Sequence, residues 1–316
     1  MGIELERIFT PLAHKKRDHV RTNGGRFVHY TSAENAVNII KNRRIWMRNV
    51  RYMNDYREAY HGYDKLLALF QIPYIIEAYQ RALAPFGNKM HEKILTQFDQ
   101  WRNNIQLNTY VCSFSEHDDA EDLHGRLSMW RAYGGDSAKA AIIFWLPLTP
   151  GSAVGLRLLV SPVEYMTDAD FENEFMSSIR SIEKNADYLR SVDPVKIQNM
   201  GFFALVLAAL CLKHEGFAEE REWRAIYLPY ALPSAHIERS VEVVGGIPQI
   251  VYKIPLENKP DEQITGVDIP NLIDKIIVGP SGYPVPISEA FVSLLSDAGI
   301  PDSRPRVTVS YIPLRT

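Results

Sequence analysis

Arg26-Phe-Val-His-Tyr-Thr-Ser-Ala-Glu-Asn-Ala-Val-Asn-Ile-Ile40 is the stretch on which the reading of this chain turns. Its first six residues are rich in β-formers. Ser32 then stands three residues before Asn35, and Ala36, Val37, Ile39 and Ile40 recur at helical spacing. The stretch therefore predicts a strand, an N-cap and a helix in immediate succession. Alternation along the strand places His29 and Thr31 on one face and Tyr30 on the other. Upstream, Asn23-Gly24-Gly25 is a turn signal that closes a basic N-terminal arm, residues 1–25, where Lys15, Lys16, Arg17 and Arg21 outnumber Asp18. Downstream, Ile45-Trp-Met47 reads as a second short strand and Met53-Asn-Asp-Tyr56 as a turn into helix.

Residues 56–106 carry apolar positions at intervals of three and four, interrupted at Pro73 and Pro85-Phe-Gly87, and predict helices. Residues 108–115 alternate Tyr110, Cys112 and Phe114 against Val111, Ser113 and Ser115, a strand with one polar-leaning face. The acidic loop 116–122 leads to a helix near 127–133, and the apolar run 140–146 predicts a central strand. Further strands are expected at 156–165, 222–228, 241–252 (a hairpin about Gly245-Gly246), 273–278 and 307–312, with helix at 168–215 and 286–298. Strand-rich segments separated by helical insertions at about 56–106 and 168–215 predict an α+β architecture with a mixed β-sheet core. No Pro/Gly/Ser-rich linker divides the chain, so residues 1–316 are expected to form one domain.

Of the 316 residues, 46% are hydrophobic and 23% charged, ordinary values for a protein able to bury a sizeable core. A formal charge of −3 does not mark the whole molecule as a nucleic-acid binder. Local basic runs are left for that role: the arm, and Lys41, Arg43, Arg44, Arg48 and Arg51. Cys112 and Cys211 lie among apolar residues and read as small buried hydrophobes, with no disulfide framework and no metal-binding spacing. The longest fully apolar run, residues 202–212, falls short of the ~20 residues needed to span a bilayer and reads as a buried helix. Met1 opens no basic-then-apolar leader, so a cytoplasmic protein without a membrane partner is expected.

The chain lacks GxGxxG, GxxxxGK[ST], HExxH and GxSxG, so dinucleotide folds, P-loops, zincins and α/β-hydrolases have no support. Three short motifs stand out. His29 beside Thr31 can hydrogen-bond a sugar hydroxyl while the strand backbone pairs with an amide; a core or edge-strand histidine is the plainer alternative. Ser113-Phe-Ser115 presents two hydroxyls on one side, fit to line a pocket and orient a carboxylate, or simply the polar face of a half-buried strand. Phe217-Ala-Glu-Glu-Arg-Glu-Trp-Arg224 carries Glu220 and Glu222 two apart at the entry to a strand, so both carboxylates point one way. Neighbouring carboxylates push their pKa values apart, which suits one to hold a hydroxyl and the other to orient a nucleophile. Arg221, Trp223 and Arg224 would hold them or add a cationic, stacking surface; an exposed charged turn is the plainer alternative.

A strand histidine, then Ser-x-Ser, then Glu-x-Glu, in that order, resembles the ADP-ribosyltransferase superfamily. The resemblance implies an ADP-ribosyltransferase-like mixed sheet with large helical insertions, and NAD as substrate. It implies that Glu222 holds the nicotinamide-ribose 2′-hydroxyl as nicotinamide leaves and that Glu220 orients or deprotonates the acceptor. His29, Tyr30 and Thr31 would dock the ribose and carboxamide, and Ser113 and Ser115 would support Glu222. Arg26, Arg44 or Arg48 would meet the pyrophosphate, and Arg44, Trp223 and Arg224 the substrate. On the same footing Glu222→Gln is expected to abolish transfer with the fold intact. The chain also resembles a widespread bacterial family known only as a domain of unknown function. That likeness rests on His29-Tyr-Thr-Ser32, Trp46 with Asn54-Asp55, Cys112-Ser-Phe-Ser115, Ser128-Met-Trp130, Lys213, Glu220-Arg-Glu-Trp-Arg224 and Ile276-Ile-Val-Gly-Pro280. It implies a toxin or phage-defence effector, with a neutralising antitoxin as a possible partner.

Two other functions stay open at this point. Metal-assisted phosphodiester hydrolysis would use His117, Asp118, Asp119, Glu121, Asp122 and His124. A nucleic-acid-binding module would use the basic runs with Trp46 and Tyr52. The basic arm tilts the acceptor of a transferase towards nucleic acid over protein.

Overall fold

The computed structural model describes residues 3–52, 58–135, 137–146 and 150–313; the turn expected at 53–56 lies outside them. In chain order the elements begin with α1 (Ile3–Phe9), α2 (Pro11–Asn23), β1 (Arg26–Ser32), α3 (Ala33–Asn42) and β2 (Arg44–Asn49). Then come α4 (Glu58–Leu69), α5 (Pro73–Leu83), α6 (Met90–Leu107), β3 (Tyr110–Glu116), α7 (Leu127–Ala132) and β4 (Lys139–Trp145). The middle holds α8 (Pro150–Gly155), β5 (Leu159–Pro162), β6 (Glu164–Tyr165), α9 (Asp168–Lys184), α10 (Ala186–Arg190), α11 (Pro194–Leu210) and β7 (Leu212–Lys213). Last are β8 (Glu222–Tyr227), β9 (Glu238–Val244), β10 (Ile247–Pro255), α12 (Ile269–Leu272), β11 (Ile273–Val278), α13 (Pro284–Asp297) and β12 (Val307–Val309).

The opening stretch folds as its residues dictate. Ser32 leaves β1 in an extended conformation and its hydroxyl accepts the Asn35 N–H at 3.1 Å, satisfying a donor that the first turn of α3 leaves open. The basic arm is two helices. Within it Lys16 pairs with Glu164 at 2.6 Å and Arg17 with Glu6 at 3.3 Å, because α1 and α2 pack back onto the helical layer and turn those cations inward.

The main sheet is mixed, in the order β12-β11-β4-β1-β3-β2-β10-β9, with β8 on β3 and β5 on β8. Among the described strands only β11 and β12 run parallel within it. The pairing of β3 shapes the molecule. Along one edge it pairs with β8 throughout, from Tyr110↔Tyr227 to Ser115↔Glu222. The other edge is shared: β1 takes its far end (Val28↔Ser115) and β2 its near end (Arg48↔Val111). Between them the strands fork.

Directly opposed residues point to the same face of a sheet. One face therefore carries Val28, Tyr30, Val111, Ser113, Ser115, Glu222, Arg224 and Ile226; the other carries Phe27, His29, Cys112, Phe114, Trp223 and Ala225. The helical insertions cover the first face over Val111, Leu159 and Ile226, and α7 covers it over Val28, Tyr30 and Ala141 through Met129 and Trp130. On the second face α3 and α13 pack over Ile142 and Ile276. The apolar run 202–212 falls largely in the second half of α11, which is buried on nearly every side, as a helical segment without a polar stripe must be. At Gly62 of α4 a Cβ would stand 2.3 Å from the Ala209 carbonyl oxygen of α11, so only glycine allows the two backbones to approach. Gly62→Ala is expected to cost about 2–3 kcal/mol, measured by urea denaturation, since overpacking against backbone cannot be relieved by a rotamer change.

Candidate active site at the head of β8

β7 ends an apolar helix with a single cation, Lys213, and a short turn, Glu215–Glu220, carries the chain into β8. The turn brings two carboxylates onto Lys213: its Nζ donates to Glu220 Oε2 at 2.6 Å and to Glu222 Oε2 at 3.1 Å. Arg224, one pleat further on the same face, donates from Nε to Glu222 Oε1 at 2.8 Å and from Nη2 to Oε2 at 3.2 Å. Its Nη1 holds the Leu210 carbonyl. Glu222 donates its backbone N–H to the Tyr165 hydroxyl at 2.8 Å. Phe217 lies over the Lys213 ammonium, 5.1 Å from ring centre to nitrogen.

Burial alone would raise the Glu222 carboxyl. Arg224 first, then Lys213, with Ser113 close by, outweigh it and hold the group at about 2. It is therefore an anion at neutral pH, suited to accept a hydroxyl proton in a hydrogen bond and to face positive charge. Glu220 differs in access: its side chain is 21% exposed against 5% for Glu222, so it is the carboxylate of the pair that an incoming group reaches. Ser115 is buried directly across from Glu222, and Ser113 Oγ is buried with no hydrogen bond of good geometry. The expected motifs thus meet in part: Tyr30, Ser113, Ser115, Glu222 and Arg224 share one face, in the seam between α7 and the helical layer, and Glu220 joins them from the preceding turn through Lys213.

Other expected residues stand elsewhere. His29 lies on the opposite face, and its Nδ1 meets the Ser113 carbonyl at 3.0 Å across the fork. Thr31, also on that face, accepts from Asn35 Nδ2 at 3.3 Å. Trp223 is core rather than contact surface: it is 1% exposed, edge-on to Phe27, and its Nε1 donates to Glu116 Oε1 at 2.7 Å. Arg224 is likewise enclosed, and its guanidinium meets Glu222 and the Leu210 carbonyl. Arg48 shares the Glu222 face but sits opposite Val111, roughly 13 Å along β3 from Ser115. Its guanidinium is held by the Tyr52 carbonyl and Gln249, and Arg44 by Glu257. Arg26 is bound by Asp119, Asp122 and Asp274.

Arg126 had no motif to announce it. Its Nη2 donates to Glu116 O at 2.6 Å, its Nη1 to Glu219 O at 2.6 Å and Glu220 O at 3.3 Å, and its Nε to Glu121 Oε1 at 3.0 Å. Its backbone N–H donates to the Tyr30 hydroxyl at 2.8 Å. One guanidinium thus ties the Glu220 turn to the end of β3. Lys213 was the more legible omission, since a lone cation closing an apolar run is buried only with a partner. In the acidic loop, Asp122 is engaged by Arg26, His117 and Lys275, and Glu121 by Arg126 and Arg221. Among the described residues no group of three His, Cys, Asp or Glu side chains is arranged to hold a metal ion, and no helix is long and apolar enough to cross a membrane.

Residues 129–225 match the family model described as "Protein of unknown function (DUF2971)". The match begins in α7 and ends in β8, so it takes in Tyr165, Lys213, Glu220, Glu222 and Arg224. No curated protein and no solved structure matches the chain.

Proposed function

We propose that the chain transfers ADP-ribose from NAD to a macromolecular acceptor at the Glu220–Glu222 end of β8, on an ADP-ribosyltransferase-like sheet. One observation carries this reading: the three motif-bearing strands are neighbours in the order β8-β3-β1, with Ser115 directly across from Glu222. Glu222, ionised and fixed by Arg224 and Lys213, accepts the 2′-hydroxyl of the nicotinamide ribose. Its charge stabilises the oxocarbenium-like ribose as the bond from C1′ to the nicotinamide nitrogen breaks and the electron pair leaves with nicotinamide. The acceptor nucleophile then bonds to C1′, and its proton passes to Glu220, the more accessible carboxylate. The buried Ser113 hydroxyl, beside Glu222, and Tyr30 offer further polar contacts on that face. His29 and Thr31 act, in this reading, only through the strand they belong to.

Nucleic acid is favoured as acceptor over protein, and a toxin or phage-defence role in the cytoplasm fits an enzyme that modifies a macromolecule. Exposed Lys15, Lys41, Arg43 and Arg51 supply the charge for it, since Arg17, Arg26 and Arg44 are engaged internally. The test is incubation with labelled NAD and total cell extract, with products split into protein, RNA and DNA. Label is expected in a nucleic-acid fraction. With Glu220→Gln, transfer should fall about 100-fold while NAD hydrolysis falls less. Equal losses would remove the division of labour between the carboxylates. Neither label nor nicotinamide release from folded protein would sink the whole reading.

A further inference from the structure

Behind the fork, on the face away from Glu222, β1 and β2 part over a cavity of about 110 Å³. Its wall is apolar, built by Phe114, Ile142, Phe144, Leu156, Ile254 and their neighbours, with two polar side chains, His29 and Ser152. Ser152 is engaged with the chain: its hydroxyl donates to Thr265 O at 2.7 Å and accepts the Thr265 N–H at 3.1 Å. His29 is held at one nitrogen only. A carbonyl can only accept, so the 3.0 Å contact to Ser113 O assigns the proton to Nδ1. Burial lowers the imidazole pKa, the Ser113 contact opposing it, and the ring is neutral. Nε2 therefore bears a lone pair, and His29 has no second hydrogen-bonding partner among the described residues. The residue is half-buried and lines the cavity.

An apolar cavity of about 150 Å³ is large enough to bind benzene. A chamber of this order with one acceptor on its wall defines its occupant by size and by donor count. We propose that the cavity is a binding site for a benzene-sized apolar molecule carrying a single hydrogen-bond donor, such as a phenolic hydroxyl, received by His29 Nε2. A ligand without the donor leaves the imidazole nitrogen desolvated and unmatched. A carboxamide brings more polar groups than the wall can match, so nicotinamide is excluded. The site stands apart from the transfer reaction proposed above, and either can fail without the other.

The experiment is isothermal calorimetry on the full chain with phenol, and with fluorobenzene as a ring of similar shape lacking the donor. Phenol is expected to saturate and to bind at least tenfold more tightly than fluorobenzene. In His29→Phe that preference should vanish while fluorobenzene binding persists. In Ala225→Leu, which fills the chamber from β8, both ligands should lose at least tenfold. Circular dichroism establishes that each variant folds; if His29→Phe does not, the phenol–fluorobenzene comparison on the unaltered protein decides. Equal affinities there, no saturation by either ligand, or a phenol preference that survives in His29→Phe would overturn the proposal. So would displacement of phenol by nicotinamide, which would make the chamber part of the transfer site.

Discussion

Glu222→Gln should unfold at markedly lower denaturant than the unaltered protein, with a loss of about 3–5 kcal/mol. The substitution keeps the shape and removes the charge, and that charge is what Arg224 and Lys213 are buried against, at 4% and 3% exposure. An amide oxygen can accept from one of them, but it brings no negative charge to set against either buried cation; Glu220 Oε2 meets Lys213. The expectation from motif alone, that this variant loses activity with its fold intact, is replaced by this one. Acid should act along the same line. The folded-state value lies near 2, below the ordinary 4.5, so the ionised form is preferred in the folded protein. The stabilisation is complete above pH 4.5 and is lost as pH falls from there towards 2; it amounts to about 3 kcal/mol. Urea midpoints measured from pH 6 down to pH 2.5 should therefore fall more steeply for the unaltered protein than for Glu222→Gln. Parallel curves would show that Glu222 is not the group responsible.

Arg126→Ala should lose about 2–4 kcal/mol and loosen the turn that carries Glu220. Truncation strips the guanidinium from three carbonyls, those of Glu116, Glu219 and Glu220, and from the Glu121 carboxylate. Arg126→Lys should recover little, because a single ammonium cannot span three acceptors that a planar fork reaches together. Hydrogen exchange is the discriminating measurement: amides of residues 215–221 should lose protection before those of β8. Uniform loss across the sheet would mean that Arg126 supports the core generally rather than the turn.

Much of this molecule was legible in residues of short range. The Ser32 cap, the alternating strand at 110–116, the glycine hairpin between β9 and β10 and the apolar second half of α11 follow from periods of 2 and 3.6 and from local hydrogen-bonding chemistry, which neighbouring residues settle among themselves. Glu220 and Glu222 were visible as neighbours in the chain, but only Glu222 lies in β8; Glu220 closes the preceding turn, and the two converge on Lys213. Which motifs meet was not local. His29 and Glu222 fall on opposite faces because β1 joins β3 in the register Val28↔Ser115, and a shift of one residue would reverse every side chain along it. Long-range pairing likewise hid the fork of β1 and β2, the enclosure of Trp223, the inward turn of Arg17 and Arg26, and the three carbonyls gathered by Arg126. Sequence alone therefore determined the elements and the carboxylate pair; only the tertiary structure decided their company, because register and burial depend on residues far apart in the chain.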